Sequence, residues 1–295
     1  MPFHYPDILD QCSPVHSFSY GSREVILYAL GVGFGQDPLD PDALPFVYEK
    51  NLKVVPTAAC VLSPLGPGDT LLPSGGPVPD GHRPSSFSYR HMLHGEEKVV
   101  LHRPLPPEGH FTASQHVTAV YDKGADKGAV LVKQIDWKDE TGAPVATITT
   151  SLFCRTEGGF GGPSEGAPAP HRVPTRAPDV SIDMPTRPDQ ALLYRLSGDR
   201  NPLHADPEAA REGGFDRPVL HGLCSFGFTC RAVLATMAGH DAGAILSHQA
   251  RFAAPVFPGD TLTVDLWRDG KEISFEAHVR ARGVTVIRNG LTVLR

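Results

Sequence analysis

One short stretch of the chain, YRLSGDRNPLHAD (Tyr194 to Asp206), combines residue types that can do acid–base chemistry. Asp199 and His204 lie five positions apart, with Asn201 between them. The proline after Asn201 disfavours helical backbone at that asparagine, so the chain leaves any preceding helix here. A carboxyl group and an imidazole that share one water can move its protons in both directions. The pattern therefore favours an acid–base site in which Asn201 orients the pair.

Each of these residues also has a purely structural interpretation. Asp199 follows Gly198 and can form an Asx turn, a common use of aspartate after a helix. His204 alone can be a hydrogen-bonded loop histidine without a role in catalysis. A metal site built from His204, Asp206 and Glu208 is a further alternative, but these residues lack the spacing typical of zinc ligands. We therefore expect an acid–base pair with no bound metal.

A second useful stretch, RPVLHGLCSFG, places Gly222 at the start of a helical run. Unpaired N–H groups and the helix dipole favour negative charge at a helix N-terminus, and glycine allows a ligand to approach closely. Gly222 can therefore stabilise the oxyanion that develops on a carbonyl substrate. An ordinary helix start is the alternative. His221 can be a buried structural residue, so we do not assign it as a catalyst.

The elements that must position these groups occur in the same order in each half of the chain. Each half begins with a short helical stretch, SREVILYALGVGFG or RPDQALLYRLSG, and ends in four β-rich stretches. In the first helix Ser22 is the expected N-cap, and Gly31 or Gly33 the expected end. A longer apolar helix, VLHGLCSFGFTCRAVLATMAG, precedes the last strands and stops at Gly239. Helices followed by antiparallel strands indicate an α+β fold, with the sheet wrapped around the helix.

Two Gly- and Pro-rich stretches interrupt this pattern. Residues Ser63 to Ser86 are expected to form a mobile surface loop. Residues 157–178 are expected to be a linker, since nothing in this stretch could bury a face. The linker separates an N-terminal repeat, residues 1–156, from a C-terminal repeat, residues 179–295.

Composition and charge exclude several function classes. The 295 residues carry a formal net charge of −6, which argues against a non-specific nucleic-acid or membrane-surface binder. The N-terminal residues lack the features of a signal peptide, and no apolar stretch reaches the ~20 residues of a membrane span. The C-terminal LTVLR is not a peroxisomal signal of the SKL type. The five cysteines lack metal-finger spacing and indicate free thiols, so we expect a cytoplasmic protein.

The stretch YRLSGDRNPLHADPEAAREGGFDRPVLHGLCSFG resembles the hydratase 2 motif of the MaoC-like (R)-specific enoyl-CoA hydratases. Upstream, YGSREVILYALGVGFG, LPFVYEKNLKVVPT and HGEEKVVLHRPLP are similar to the N-terminal half of two-repeat members of that family. The resemblance covers nearly the whole chain outside the two Gly- and Pro-rich stretches. It implies a double hotdog fold, in which two antiparallel sheets each wrap around a long central helix.

The resemblance also implies a reaction, the reversible syn hydration of a trans-2-enoyl-CoA to a (3R)-3-hydroxyacyl-CoA. Asp199 and His204 match the family's catalytic acid/base pair, which binds one water, and Asn201 matches its orienting amide. Gly222 falls in the glycine segment that binds the thioester oxygen. These residues belong to the C-terminal repeat, while the N-terminal repeat binds the acyl chain without catalysing. The expected substrate-binding residues are Gly222, Leu223, His221, His94 and Gly95.

The charge of the chain and the resemblance together give further expectations. They are no cofactor beyond the CoA of the substrate, no nucleic-acid or membrane partner, and a homodimer. An acyl-CoA thioesterase is an alternative, because hotdog folds also host hydrolases. A non-catalytic acyl-CoA binding protein is another, although the complete set of Asp199, Asn201 and His204 argues against it.

Overall fold

The framework of the molecule is an extended antiparallel sheet. The computed structural model describes residues 3–65 and 92–295, and within these ranges ten strands form one sheet. The strands are β1 (His16–Tyr20), β2 (Met92–Leu101), β3 (Gly109–Asp122), β4 (Ala129–Asp139), β5 (Pro144–Cys154), β6 (Val180–Pro185), β7 (Ile245–Phe252), β8 (Thr261–Asp269), β9 (Glu272–Val279) and β10 (Val284–Leu294). Most of the loop predicted for Ser63 to Ser86 lies outside the described residues.

The two halves of the chain share one strand topology. The order across the sheet is β1-β3-β4-β5-β2-β7-β10-β9-β8-β6, so the second half repeats the first in reverse. The halves meet at β2 and β7, which pair antiparallel, for example Lys98 with Gln249. The two predicted sheets are thus joined edge to edge into one, because pairing removes the free edges that β2 and β7 would otherwise expose.

The strands form where apolar and polar residues alternate. In β4, for example, Ile135 and Trp137 are buried, while Gln134 and Asp136 are partly exposed. The strands predicted in both halves are confirmed as β2 to β5 and β7 to β10. The outer strands β1 and β6 were not predicted. They are short, and each is defined by its pairing with one neighbour, β3 or β8.

The helices are mostly short and lie on one face of the sheet or in the connections. The α-helices of the described ranges are α1 (Ser22–Gly31), α2 (Leu44–Val47), α3 (Ala59–Leu62), α4 (Gln190–Tyr194), α5 (Pro207–Glu212) and α6 (Gly222–Thr236). Single 3₁₀ turns occur at Asp7–Asp10, Pro56–Ala58, Arg195–Ser197, Pro202–His204, Ala242–Ala244 and Arg280–Arg282. Helix α1 begins one residue after its N-cap, which is Gly21 rather than the predicted Ser22, and the side chain of Glu24 accepts the Gly21 N–H at 3.0 Å.

Helix α6 is the central helix of the second half. Its residues are apolar on nearly all sides, which is typical of a helix enclosed by other elements, and Phe226 and Phe228 have no exposed surface. Gly227 lets α1 approach closely, since a Cβ atom there would lie only 2.4 Å from Val32 Cγ1. The predicted long helix is confirmed, and it ends three residues before Gly239.

The first half differs from the predicted pattern of one long central helix in each sheet. In the described part of this half, the corresponding position holds only the Pro56–Ala58 turn and α3. Pro64 follows α3 closely, and proline disfavours helical backbone at the residue before it. Among the residues that the structure describes, a long central helix is therefore observed only in the second half.

The predicted linker at 157–178 has no helix or strand, but its first part is fixed to the first half. The Asp122 carboxylate accepts N–H bonds from Gly159 at 2.7 Å and from Gly161 at 2.8 Å. Between these glycines, the Phe160 ring packs edge-on against Phe3, with 5.6 Å between the centroids. The expectation that no residue of this stretch buries a face was therefore wrong for its first residues.

Candidate active site

The loop that carries Asp199 and His204 starts where helix α4 ends. After α4 the chain makes the Arg195–Ser197 turn and reaches Gly198, whose φ of +135° lies in a region that residues with a side chain rarely adopt. This bend sets the direction of the next residue, Asp199. The Asp199 carboxylate then accepts the Asn201 N–H at 3.1 Å, which closes an Asx turn. The structural interpretation of Asp199 and the catalytic one are thus compatible, because only one carboxylate oxygen is used in the turn.

The structure brings Asp199 and His204 together. The Nε2 atom of His204 lies 4.0 Å from Oδ2 of Asp199, and the side chains are 11% and 20% exposed, respectively. Nδ1 of His204 donates to the Val219 carbonyl oxygen at 2.8 Å, because a carbonyl oxygen can only accept. The remaining nitrogen, Nε2, therefore carries a lone pair towards Asp199. Burial lowers the pKa of His204 below that of an ordinary histidine, so the ring is neutral near pH 7.

The side chain of Asn201 orients the loop by accepting a hydrogen bond from the loop backbone. Its side-chain oxygen accepts the Leu203 N–H at 3.0 Å and caps the Pro202–His204 turn. Asn201 itself is exposed, whereas His204 at the end of that turn is largely covered. The geometry thus gives the predicted orienting amide a definite action, which is to hold the turn that carries His204.

His221 contacts both Asp199 and His204. Its Nε2 donates to the backbone oxygen of Asp199 at 3.0 Å, and its ring stacks on His204, with centroids 3.7 Å apart and planes 26° apart. The ring of Tyr194, at the end of α4, lies 4.9 Å away. His221 is 1% exposed. Burial, together with the neighbouring His204, lowers the pKa of His221 to about 3.

Helix α6 begins directly after His221, which is its N-cap residue. The Cys224 and Ser225 N–H groups bond to the His221 carbonyl, while the first N–H groups, those of Gly222 and Leu223, have no acceptor within the helix. The Leu223 side chain is buried in the core, so only its backbone can reach a substrate. The start of α6 thus supplies unpaired N–H groups beside the residue that holds Asp199.

The Phe252 ring lies next to His94, a predicted binding residue of the first half, and also next to Gly222. The Phe252 ring is 4.7 Å from the His94 ring, and a Cβ atom at Gly222 would lie 3.4 Å from the same phenyl ring. Nε2 of His94 bonds to Oε2 of Glu97 at 2.9 Å, and Glu97 is 3% exposed. Gly95 lies at a bulge of β2, where a Cβ atom would approach the Ser151 carbonyl oxygen to 3.2 Å.

A possible metal set also occurs here, and it is not the one considered from the sequence. Asp199, His204 and His221 each offer one ligand atom, and these atoms lie within 4.8 Å of one another. Nε2 of His221 is engaged with the Asp199 carbonyl oxygen, so this ring would offer only Nδ1 to an ion. Asp206 caps α5 by accepting the Glu208 N–H at 2.8 Å.

Sequence reasoning missed three contributors to this site. Val219 supplies only a backbone carbonyl, so its side chain carries no signal. Phe252 is a single aromatic residue in a strand, a pattern typical of core packing. Glu97 follows the predicted His94 closely, but its position in a strand indicates an ordinary surface carboxylate. The HGEE stretch, with a histidine and an acid three positions apart, was the signal that could have identified Glu97.

Each half of the chain matches a known protein family. Residues 18–156 match the family described as the MFE-2 hydratase 2 N-terminal domain, and residues 170–289 match the MaoC like domain. The chain is 37% identical over 297 residues to the enoyl-CoA hydratase ChsH3 of Mycobacterium tuberculosis, covering 100% of this chain and 99% of that protein. The chain belongs to the MaoC-like hydratase 2 family. It is also 42% identical over 257 residues to 3-hydroxyacyl-thioester dehydratase Y of M. tuberculosis, covering 85% and 83% of the two chains.

Solved structures share this fold. A MaoC-like dehydratase from Phytophthora capsici superposes with a TM-score of 0.83 at 34% identity, covering 98% of this chain and 97% of that one. A M. tuberculosis protein described as having a double hotdog fold superposes with a TM-score of 0.53 at 12% identity, covering 98% of each chain, and supports the fold alone. The predicted double hotdog fold is thus confirmed. In the described ranges of this MaoC-like chain, no helix is long and apolar enough to cross a lipid bilayer.

Proposed function

We propose that this protein catalyses the reversible syn hydration of trans-2-enoyl-CoA thioesters to (3R)-3-hydroxyacyl-CoA. Membership of the MaoC-like hydratase 2 family supports this reaction, as do the names of its relatives, an enoyl-CoA hydratase and a 3-hydroxyacyl-thioester dehydratase. The observation that carries the mechanism is the 4.0 Å separation between Nε2 of His204 and Oδ2 of Asp199. Both atoms are acceptors when His204 is neutral.

The two acceptors match the two donors of one water molecule. An oxygen about 2.8 Å from both atoms, the usual hydrogen-bond length, sees them at an angle of about 90°. This angle is close to that between the O–H bonds of water, so a single water can donate one hydrogen to each group. The pair thereby leaves a lone pair of the water free to attack carbon.

The reaction then moves protons within this group. The water oxygen bonds to C3 of the enoyl chain as one of the pair accepts a water proton. Electrons of the C2–C3 double bond shift to the thioester oxygen, which becomes an enolate oxygen. The group that accepted the water proton returns a proton to C2 on the same face. The enolate electrons form the new C2–H bond, and the thioester carbonyl forms again.

The start of α6 supports the enolate oxygen. The unpaired N–H groups of Gly222 and Leu223 can donate hydrogen bonds to the enolate oxygen and stabilise its negative charge. The helix dipole adds to this stabilisation. The closeness of Phe252 to both Gly222 and His94 supports an acyl path from the C-terminal repeat towards β2. In this proposal the N-terminal repeat, residues 1–156, binds the acyl chain and residues 179–295 catalyse.

We further propose that the enzyme needs no cofactor or metal, forms a homodimer and works in the cytoplasm. All five cysteines are free thiols, which fits a reducing compartment. Light scattering on the purified full chain tests the dimer, and fractionation of cells that express it tests the location.

The deciding experiment combines one substrate with two detection methods. Purified enzyme is given crotonyl-CoA, and loss of the enoyl absorbance is followed together with a thiol reagent. We expect loss of absorbance without release of free CoA, and chiral analysis should identify the (3R) product. Release of thiol would instead indicate a thioesterase, and the absence of both signals with enoyl-CoA of several chain lengths would overturn the assignment.

A further inference from the structure

His221 has no role in the reaction as described above, although it contacts both members of the pair. Its 1% exposure argues against the substrate-binding role predicted from the sequence, because a substrate cannot reach a covered ring. Three contacts define its position instead. They are the stack on His204, the hydrogen bond to the Asp199 carbonyl, and the chain itself, which continues into α6.

We propose that His221 is a positioning residue, which as a neutral imidazole fixes the separation of Asp199 and His204 and ties both to the start of α6. The proposal rests on the function proposed above. The hydrogen bond to the Asp199 carbonyl holds the chain just after the unusual bend at Gly198. The stack holds the plane of the His204 ring, and the hydrogen bond from its Nδ1 to the Val219 carbonyl fixes the rotation of the ring within that plane.

The donor arrangement explains why a histidine suits this position. Nε2 must carry the hydrogen that is donated to the Asp199 carbonyl, so Nδ1 is bare, and it has no hydrogen-bond partner among the described residues. A second proton would place a buried cation beside His204. The ionisable groups around the ring are Asp199, His204, Arg195 and Tyr194. A neutral neighbour lets His204 take up and release a proton without repulsion from a second charge.

Three substitutions separate the contacts. His221→Gln keeps a donor of similar reach but removes the stack. His221→Phe keeps the stack but removes the donor, and His221→Ala removes both. For each we expect kcat for crotonyl-CoA hydration to fall about 10- to 100-fold, because a misplacement of about 1 Å costs on the order of 100-fold. KM should change less than about threefold, since His221 does not touch the substrate.

The pH profile distinguishes positioning from simple stabilisation. Burial is the main cause of the lowered pKa of His204. His221→Ala exposes that ring to water, so the acidic limb of the kcat/KM profile should move to higher pH. His221→Phe keeps the ring covered, and its limb should stay in place. A purely structural role would lower the melting temperature without moving this limb.

A matched control is available in the same half. His248 is fully buried and bonds to Thr292 at 2.6 Å and to Thr229 at 3.1 Å, away from the catalytic pair. His248→Gln should lower the melting temperature but leave kcat per folded molecule within about twofold. If His221→Gln and His221→Phe also keep kcat within twofold, the positioning role is excluded. If Asp199→Asn itself keeps full activity, it is the proposed function that fails.

Discussion

The backbone carbonyl of Val219 accepts a hydrogen bond of 2.8 Å from Nδ1 of His204, and this contact decides which ring nitrogen faces Asp199. The hydrogen on Nδ1 leaves Nε2 as an acceptor, 4.0 Å from Oδ2 of Asp199. If the hydrogen were on Nε2, that nitrogen could not accept a proton from a shared water. A backbone group with no chemistry of its own therefore sets the protonation pattern of the site.

The first prediction concerns the pair itself. We expect Asp199→Asn and His204→Gln each to lower kcat by about 10²- to 10⁴-fold, the usual contribution of a positioned acid or base. Asp199 lies in a loop and is 20% exposed, so Asp199→Asn should change the free energy of unfolding by no more than about 1 kcal/mol. His204→Gln should cost about 1–3 kcal/mol, because it disturbs the covered hydrogen bond to the Val219 carbonyl. Crotonyl-CoA kinetics and urea denaturation measure the two effects. Near-normal turnover in either variant would refute the assignment.

The second prediction concerns pH. The neutral form of His204 is the one that accepts a water proton, and burial lowers its pKa. Activity should therefore persist below the usual histidine pKa of about 6.5 and be lost only as the pH falls through the lowered value. The kcat/KM profile of a short enoyl-CoA measures this limb. A limb above the ordinary histidine range would contradict the role of His204, and the residual activity of His204→Gln should lack it.

The third prediction isolates one N–H group. Gly222 is the first residue of α6, where proline is tolerated, and His221 has the extended backbone (φ −57°, ψ 136°) that a following proline favours. Gly222→Pro therefore removes the N–H with little effect on the helix. We expect kcat to fall about 10²- to 10³-fold, as for the loss of one oxyanion donor.

Gly222→Ala is the control for that experiment. It keeps the N–H and adds a methyl group, whose Cβ would lie 3.4 Å from the Phe252 ring, an ordinary contact. The alanine variant should keep most of the kcat of the original enzyme, whereas the proline variant should lose it. Equal losses in both variants would indicate that packing against Phe252, and not the N–H, is what matters.

The fourth prediction concerns metal ions. The proposed reaction uses no metal ion, so dialysis against EDTA should leave kcat unchanged. Metal analysis of the dialysed enzyme gives the control. Loss of activity that zinc restores would show instead that these three residues hold a catalytic ion.

The sequence alone determined the elements that depend on neighbouring residues. The alternation of apolar and polar residues identified β2 to β5 and β7 to β10, and the apolar composition of α6 identified a central helix. The Asx turn at Asp199 and the departure from the helix at Asn201 were also predicted, because aspartate after a glycine favours such a turn and proline disfavours helical backbone at the residue before it. These features place Asp199 and His204 in one loop.

Only the tertiary structure decided how that loop works. The short strands β1 and β6 depend on pairing with distant segments, and the joining of two sheets into one depends on β2 meeting β7. The acceptor nitrogen of His204 is set by Val219, fifteen residues away in the chain, and the covered position of His221 is set by packing. Such contacts join residues far apart in sequence, so no local pattern records them.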